Sequence, residues 1–257
     1  MPRFPMLPLG SIKGNSVLLR GLPLAIANQQ EVAMALSLVI ANKNYSSWSF
    51  RPWIAMKVAG IGFEETVIPL REPGSKELIL SFSPAGKVPI LIDGDVRVWE
   101  SLAILEYLAE QHPQATLWPS QKSARSHARA LAAEMHAGFV PLRRLCPMNM
   151  WRPVKQRELT PEVMADVRRI DSLWTECRSR FGGSGPFLCG NFGVVDAMYA
   201  PIVSRFHTYD IAVGAASRAY MQAVMALPAW SEWRAEALKE AWVLPEDEVD
   251  WPIVTRE

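Results

Sequence analysis

The spacing of apolar and polar residues changes period several times along this chain, and each change marks an element. "LSLVIA", residues 36–41, is a short apolar run of strand length. Trp53, Ile54, Met56 and Val58 then belong to a helical segment that Gly60 is placed to stop. "FEETVIPL", residues 63–70, reads as a second strand, and "SKELILSF", residues 75–82, as a brief helix ending at Ser83-Pro84. "VPILID", residues 88–93, is a third strand. Asp93-Gly94-Asp95 is a tight hairpin signal, and "VRVW", residues 96–99, is the returning strand. From Ser101 onward, Leu102, Ile104, Leu105 and Leu108 mark one helical face. The predicted order is β-α-β-α-β-β-α. Strands alternating with helices imply parallel pairing, and the final hairpin adds an antiparallel edge.

Past the Pro-bearing connection at 112–121, strand signals become scarce. Residues 123–145, 161–181 and 194–207 read as helices, with two more predicted at 217–227 and 230–241. A small α/β unit, 36–115, is therefore followed by an all-helical unit, 116–257. Residues 1–35 fit neither. Pro2, Pro5, Pro8 and Pro23 follow no period, and the segment is basic and acid-poor without an unbroken apolar stretch. It reads as a disordered extension, with Met34 directly ahead of the first strand as an alternative start. The tail "PEDEVDWPIVTRE" is acidic and broken by proline, and is expected on the surface without regular structure.

Composition narrows the function classes. Of the 257 residues 49% are apolar, enough for a sizeable core, and the formal net charge is +1. Such a balance points to neither nucleic acid nor a membrane surface as partner. No stretch approaches the roughly 20 apolar residues of a membrane helix. Cys146, Cys177 and Cys189 are odd in number and far apart, which suits neither a zinc site nor a disulfide framework. No metal is expected, and a reduced, cytoplasmic compartment is.

Three short stretches carry candidate chemistry. In "NYSSWSFRPW", residues 44–53, a strand gives way to small hydroxyl residues and then a helix. There, N–H groups gather to receive an anion, and ordinary helices keep an N-cap there too. A serine hydroxyl at this place can donate to a bound thiolate and, with the helix terminus, lower its pKa from about 8.5. In "KVPIL", Pro89 opens a strand, and a cis Val88–Pro89 bond would turn the Val88 main chain outward to pair with an extended peptide. The plain alternative is a strand-initiating proline. In "WES", the Ser101 hydroxyl and nearby N–H groups suit a carboxylate, and Glu100 suits an ammonium. Together they fit an amino-acid headgroup; the plain alternative is a cap beside a surface glutamate.

Taken in order, "SSWSFR", "SPAGKVPIL", the "DG" hairpin, "ESLAILEYL" and a helical region resemble the glutathione transferase superfamily, from Leu36 to about Trp242. "SSWSFR" is similar to the serine-type motif of its zeta-class and bacterial members. The resemblance implies a thioredoxin-like N-terminal domain followed by a helical C-terminal domain. It implies glutathione as co-substrate, an electrophilic second substrate, a homodimer and detoxification chemistry. Carried over by residue, Ser46 contacts the sulfur, with Ser47 beside it and Ser49 ranked last, and Arg51 matches the motif's arginine. Val88 and cis Pro89 form the clamp for the cysteinyl residue. Glu100 and Ser101 form the γ-glutamyl site, and Lys87, with Lys76 behind it, meets the glycine carboxylate. "GNFGVVDAMYAPI" resembles the family's capping segment, with Asp196 structural and Gly193 where a hydroxyl residue is usual. The second-substrate pocket is expected to be apolar and to use Met135, Phe139, Arg143 and Asn149. A start near Trp48 would cost the first helix a bond at Pro52, whereas a start after Ser49 would make Ser49 the cap. The resemblance leaves open a maleylacetoacetate-type isomerase, a glutathione peroxidase, or a binding protein of this fold without catalysis.

Overall fold

A computed structural model describes residues 36–256, so the extension expected at 1–35 lies outside the described residues. Strand β1 (Leu36–Ile40) leads into helix α1 (Ser47–Ala59), followed by β2 (Phe63–Val67), α2 (Ser75–Phe82), β3 (Ile90–Asp93), β4 (Val96–Trp99) and α3 (Ser101–Gln111). The strands form one four-stranded sheet in the order β2-β1-β3-β4. β1 and β2 pair in parallel, while β3 is antiparallel to both β1 and β4. The antiparallel part therefore begins one strand earlier than the hairpin signal predicts. Gly94, at φ 57°, makes the β3–β4 turn, and Gly60, at φ 68°, ends α1 in the left-handed conformation that glycine adopts without a Cβ clash.

The helical part comprises α4 (Lys122–Ala137), α5 (Val140–Leu145), α6 (Pro161–Phe181), α7 (Val194–Thr208), α8 (Ala215–Met225) and α9 (Pro228–Ala237). The single helix predicted at 123–145 is two. Gly138 is extended, Phe139 sits at φ 57°, and Pro141 lies in the first turn of α5, so the chain turns there. α1 is buried from Ser49 to Met56 because it packs against α7, α3 and α9 and shares one apolar cluster with Leu38, Ile40 and Leu91 of the sheet. One apolar cluster runs from Leu38 and Ile40 through Phe50 and Trp53 to Trp174, Phe206 and Trp233, joining both parts of the chain. Among the described residues, no helix is long and apolar enough to cross a membrane.

Asp196 caps α7 from within the core. Its carboxylate accepts the Gly193 N–H at 2.9 Å and the Leu188 N–H at 3.0 Å. The glycine at 193 has a steric cause. A Cβ there would stand 2.6 Å from the Leu117 carbonyl oxygen, which itself accepts the Val194 N–H at 2.9 Å. A main-chain carbonyl thus serves the helix start where a hydroxyl side chain has no room.

Candidate active site

The loop between β1 and α1 sets the site, and it is pinned from both parts of the chain. Asn42 Oδ1 accepts the Leu70 N–H at 2.8 Å, and Asn44 Oδ1 accepts the Met150 and Trp151 N–H groups at 2.6 and 2.9 Å. The Glu240 carboxylate accepts the Lys43 and Asn44 N–H groups, and the Trp233 indole donates to the Lys43 carbonyl. The Lys43 ammonium is buried, pairs with Glu65 at 2.6 Å and with Glu236, and lies over the Trp53 and Trp233 rings. These bonds hold the turn from several segments at once, so the turn delivering Ser46 has little freedom, although the buried Asn42 and Asn44 Nδ2 groups have no partner of their own.

Ser46 is the N-cap of α1. Its Oγ accepts the Ser49 N–H at 3.3 Å and donates to Ser49 Oγ at 2.8 Å. Ser49 is fully buried and also accepts the Ala41 N–H at 3.0 Å, tying the helix start back to β1. The helix begins at Ser47, so Pro52 lies inside it and leaves the Trp48 carbonyl without its helical partner. Ser47 Oγ accepts from Arg205 Nη2 at 3.4 Å.

Two cavities meet at Ser46 and Trp48. The larger, about 780 Å³, is lined by Lys76, Lys87, Val88, Pro89, Glu100 and Ser101, together with Arg71 and Ser75. All five residues predicted for the glutathione site therefore border one space, and the Val88–Pro89 bond is cis. Glu100, not Ser101, is the N-cap of α3, and it holds φ 68°. A non-glycine residue there costs on the order of 1–3 kcal/mol. Ser101 is the first residue of the helix; it is buried and accepts from Arg51 Nη1 at 3.3 Å.

The second cavity, about 480 Å³, is lined by Tyr45, Ser46, Ser47, Trp48, Leu70, Val140, Arg143, Arg144, Met148, Arg205, Leu244 and Asp247. Of the four residues expected there, Arg143 lines it. Met135 and Phe139 are core residues. Asn149 is buried, donates to Glu248 and caps the Trp151 and Arg152 N–H groups. The cavity is also more basic than an apolar pocket. Burial lowers Arg143, and it lowers Arg205 to about 10, still cationic at neutral pH. Burial, then the charges of Arg205 and Arg143, bring Arg51 to about 9, and its guanidinium stacks over Trp48 at 4.2 Å. Burial and then Glu246 raise Asp247 to about 6, so the acid in this cavity is easily neutralised.

Sequence reasoning missed the tail. Far from lying free, it packs over the site. Tyr45 and Asn149 both donate to the buried Glu248 carboxylate, at 2.6 and 2.9 Å, and Arg71 pairs with Glu246 at 2.8 Å. Leu244 and Asp247 thereby border both cavities. The one available signal was the apolar "WVL" ahead of the acidic run. Arg205 was missed as well, although a lone cation in the apolar "APIVSRF" is itself a signal.

Comparison with known proteins agrees with this arrangement. The glutathione S-transferase N-terminal domain model matches residues 45–111, and the C-terminal domain model matches residues 155–236. A probable glutathione S-transferase parA of Nicotiana tabacum is 30% identical over 169 residues, 64% of this chain and 71% of that protein. The chain belongs to the glutathione S-transferase superfamily. Within the superfamily it is also similar to a probable maleylacetoacetate isomerase of Caenorhabditis elegans, 39% identical over 101 residues, 39% of this chain and 47% of that one. The chain spans about half the length of the maleylacetoacetate isomerases it matches. A glutathione transferase homologue from Burkholderia, solved with bound glutathione, shares the fold at 19% identity, with a TM-score of 0.60 over 79% of this chain and 97% of that one. The thioredoxin-like and helical parts of this superfamily member are those the sequence motifs implied.

Proposed function

We propose that this chain is a glutathione-dependent transferase that holds the glutathione sulfur as a thiolate and presents it to an electrophile. The observation that carries the reading is the meeting of the two cavities at Ser46. The glutathione cysteinyl group pairs with the Val88 main chain beside Pro89. The γ-glutamyl ammonium and carboxylate meet Glu100 and Ser101, and the glycine carboxylate meets Lys87 with Lys76 behind it. The sulfur then lies beside Ser46, where the α1 N-terminus and the cationic Arg51, Arg143 and Arg205 favour its ionised form. Ser46 donates to Ser49 in the free protein. Turning that proton onto the sulfur lets the Ser49 hydroxyl donate back, so the serine pair stays bonded. The chain supplies orientation and electrostatics and forms no covalent bond itself.

A second reading is favoured by the second cavity, where Arg143, Arg144 and Arg205 face a single carboxylate, Asp247. That balance suits an acidic substrate, as a glutathione-dependent isomerase of the maleylacetoacetate type would use. The free thiols suit a cytoplasmic setting, and a homodimer is the assembly the family implies.

Ultraviolet titration of the bound thiol tests the proposal. A thiol pKa well below about 8.5 is expected, and a bound thiol still protonated at pH 7 refutes thiolate catalysis. Turnover with an aryl halide, a hydroperoxide and a maleylacetoacetate-like acid separates transferase, peroxidase and isomerase; activity with none favours the non-catalytic alternative. Arg144→Met is expected to raise KM for the acid about tenfold and leave the aryl halide unaffected; equal effects on both would remove the second reading.

A further inference from the structure

We propose that Cys177 and Cys189 form a redox-active dithiol, which a low-molecular-weight disulfide such as glutathione disulfide converts to an intramolecular disulfide. The inference stands apart from the transferase reading, because the pair lies on α6 and the loop leading to α7, and neither cysteine borders the two cavities at Ser46.

The two sulfurs are 3.7 Å apart. A disulfide bond is about 2.05 Å long, so closure asks the sulfurs to approach by about 1.7 Å, within the sweep of a χ1 rotation. Their contact is held from both sides. On the α6 side, Arg178 Nη1 donates to the Phe187 carbonyl at 3.1 Å and also to the Pro186 carbonyl. On the α7 side, Asp196 holds the Leu188 and Gly193 N–H groups. Between these clamps Phe187 and Gly190 exchange main-chain hydrogen bonds at 3.3 Å. Gly185 packs so closely that a Cβ on it would stand 2.1 Å from the Gly190 carbonyl oxygen. The loop cannot easily carry Cys189 away, so the thiols keep a high effective concentration for each other.

The members of the pair are not equivalent. Cys177 is fully buried, and its single S–H is within reach of both the Cys189 sulfur, 3.7 Å away, and the Leu188 carbonyl oxygen, 3.4 Å away. Cys189 is partly exposed and is the one a soluble reagent reaches. Hydrogen bonding from Cys177 also holds the Cys189 thiol below its ordinary range, which favours Cys189 as the attacking thiolate. Cys189 loses its proton to solvent and attacks one sulfur of glutathione disulfide. A Cys189–glutathione mixed disulfide forms and one glutathione thiolate leaves. The Cys177 thiol then gives its proton to solvent and attacks Cys189 Sγ, forming the protein disulfide and expelling the second glutathione thiolate. Two protein thiols are oxidised, one glutathione disulfide is reduced, and the two released protons protonate the two glutathione thiolates. Excess reduced glutathione drives the same steps backward, so the pair follows the glutathione redox balance.

Peptide mapping of the full chain after exposure to glutathione disulfide tests this. Trypsin cuts at Arg178 and Arg180 and separates the two cysteines. The expected product joins the two peptides by a disulfide that reduced glutathione reverses. Cys177→Ser is expected to retain glutathione on Cys189, and Cys189→Ser to take up none. Thiols that stay free in the folded wild type, a lasting adduct on wild-type Cys189 without closure, or a link through Cys146 would each overturn the proposal. The wild-type map alone decides it should a variant fail to fold.

Discussion

Ser46→Ala removes two things at once, and the structure lets their sizes be separated. The first is the helix cap. Ser46 Oγ accepts the Ser49 N–H at 3.3 Å, a long bond, so its loss is expected to cost about 0.5–1 kcal/mol, the lower part of the range for capping residues. Ser49 keeps its Ala41 partner at 3.0 Å, so the tie from helix to strand survives. For a chain of this size about 1 kcal/mol lowers Tm by roughly 2–4 °C. The second loss is the thiolate donor. A preorganised donor to a developing or resident anion contributes about 10²-fold, roughly 2.7 kcal/mol. Expressed as acidity this is at most about 2 pKa units, and the remaining helix terminus and arginines should keep the rise between about 1 and 2. Glutathione affinity should change only a few-fold, since Val88, Glu100 and Ser101 are untouched. Calorimetric binding, the ultraviolet thiolate titration and kcat at saturating glutathione measure the three effects. A variant whose bound thiol titrates as in the wild type refutes the role of Ser46. If Ser47→Ala raises the thiol pKa instead, the donor is Ser47, whose Oγ already faces Arg205.

Gly193→Ser restores the hydroxyl residue the family usually carries, yet it should destabilise. Overpacking against the Leu117 carbonyl, 2.6 Å from the new Cβ, costs about 1–3 kcal/mol, whereas a cap contributes about 1 kcal/mol; denaturant midpoints decide, and a gain in stability would show that Leu117 yields freely. Burial raises Asp196 from 3.8 to about 7. Between those values the folded chain holds a proton that the unfolded chain has released, so this group's contribution to stability falls as pH rises from about 4 to 7, by at most about 4 kcal/mol. Wild type should therefore lose stability relative to Asp196→Asn over that interval, and a difference independent of pH would mean that Asp196 is ionised throughout.

The residues of the sequence motifs that line the larger cavity were legible because their chemistry is local. A proline before a strand, a glutamate and serine at a helix start, and serines between β1 and α1 each have a reason that holds within a few residues. The second cavity was not legible in the same way. Met135 and Phe139 stand on helical faces whether they point into the core or into a pocket, and only the neighbouring helices decide which. Asn149 reads as a polar lining residue until the buried Glu248, ninety-nine positions on, accepts a hydrogen bond from its side-chain amide. The break at Gly138-Phe139 was written in the sequence, but the apolar period continuing across it masked the turn.

By itself, the order of short apolar runs, glycines and prolines determined the strands, nearly all the helices and part of the lining of the larger cavity, because backbone geometry and helix termini depend on near neighbours. Tertiary structure alone decided the rest. It brought Arg205 from α7 and Leu244 and Asp247 from the tail to the mouth of α1, and it set Cys177 against Cys189. Those meetings arise from packing between segments far apart in the chain, and the strength of a buried charge or the reach of a thiol depends on what finally surrounds it.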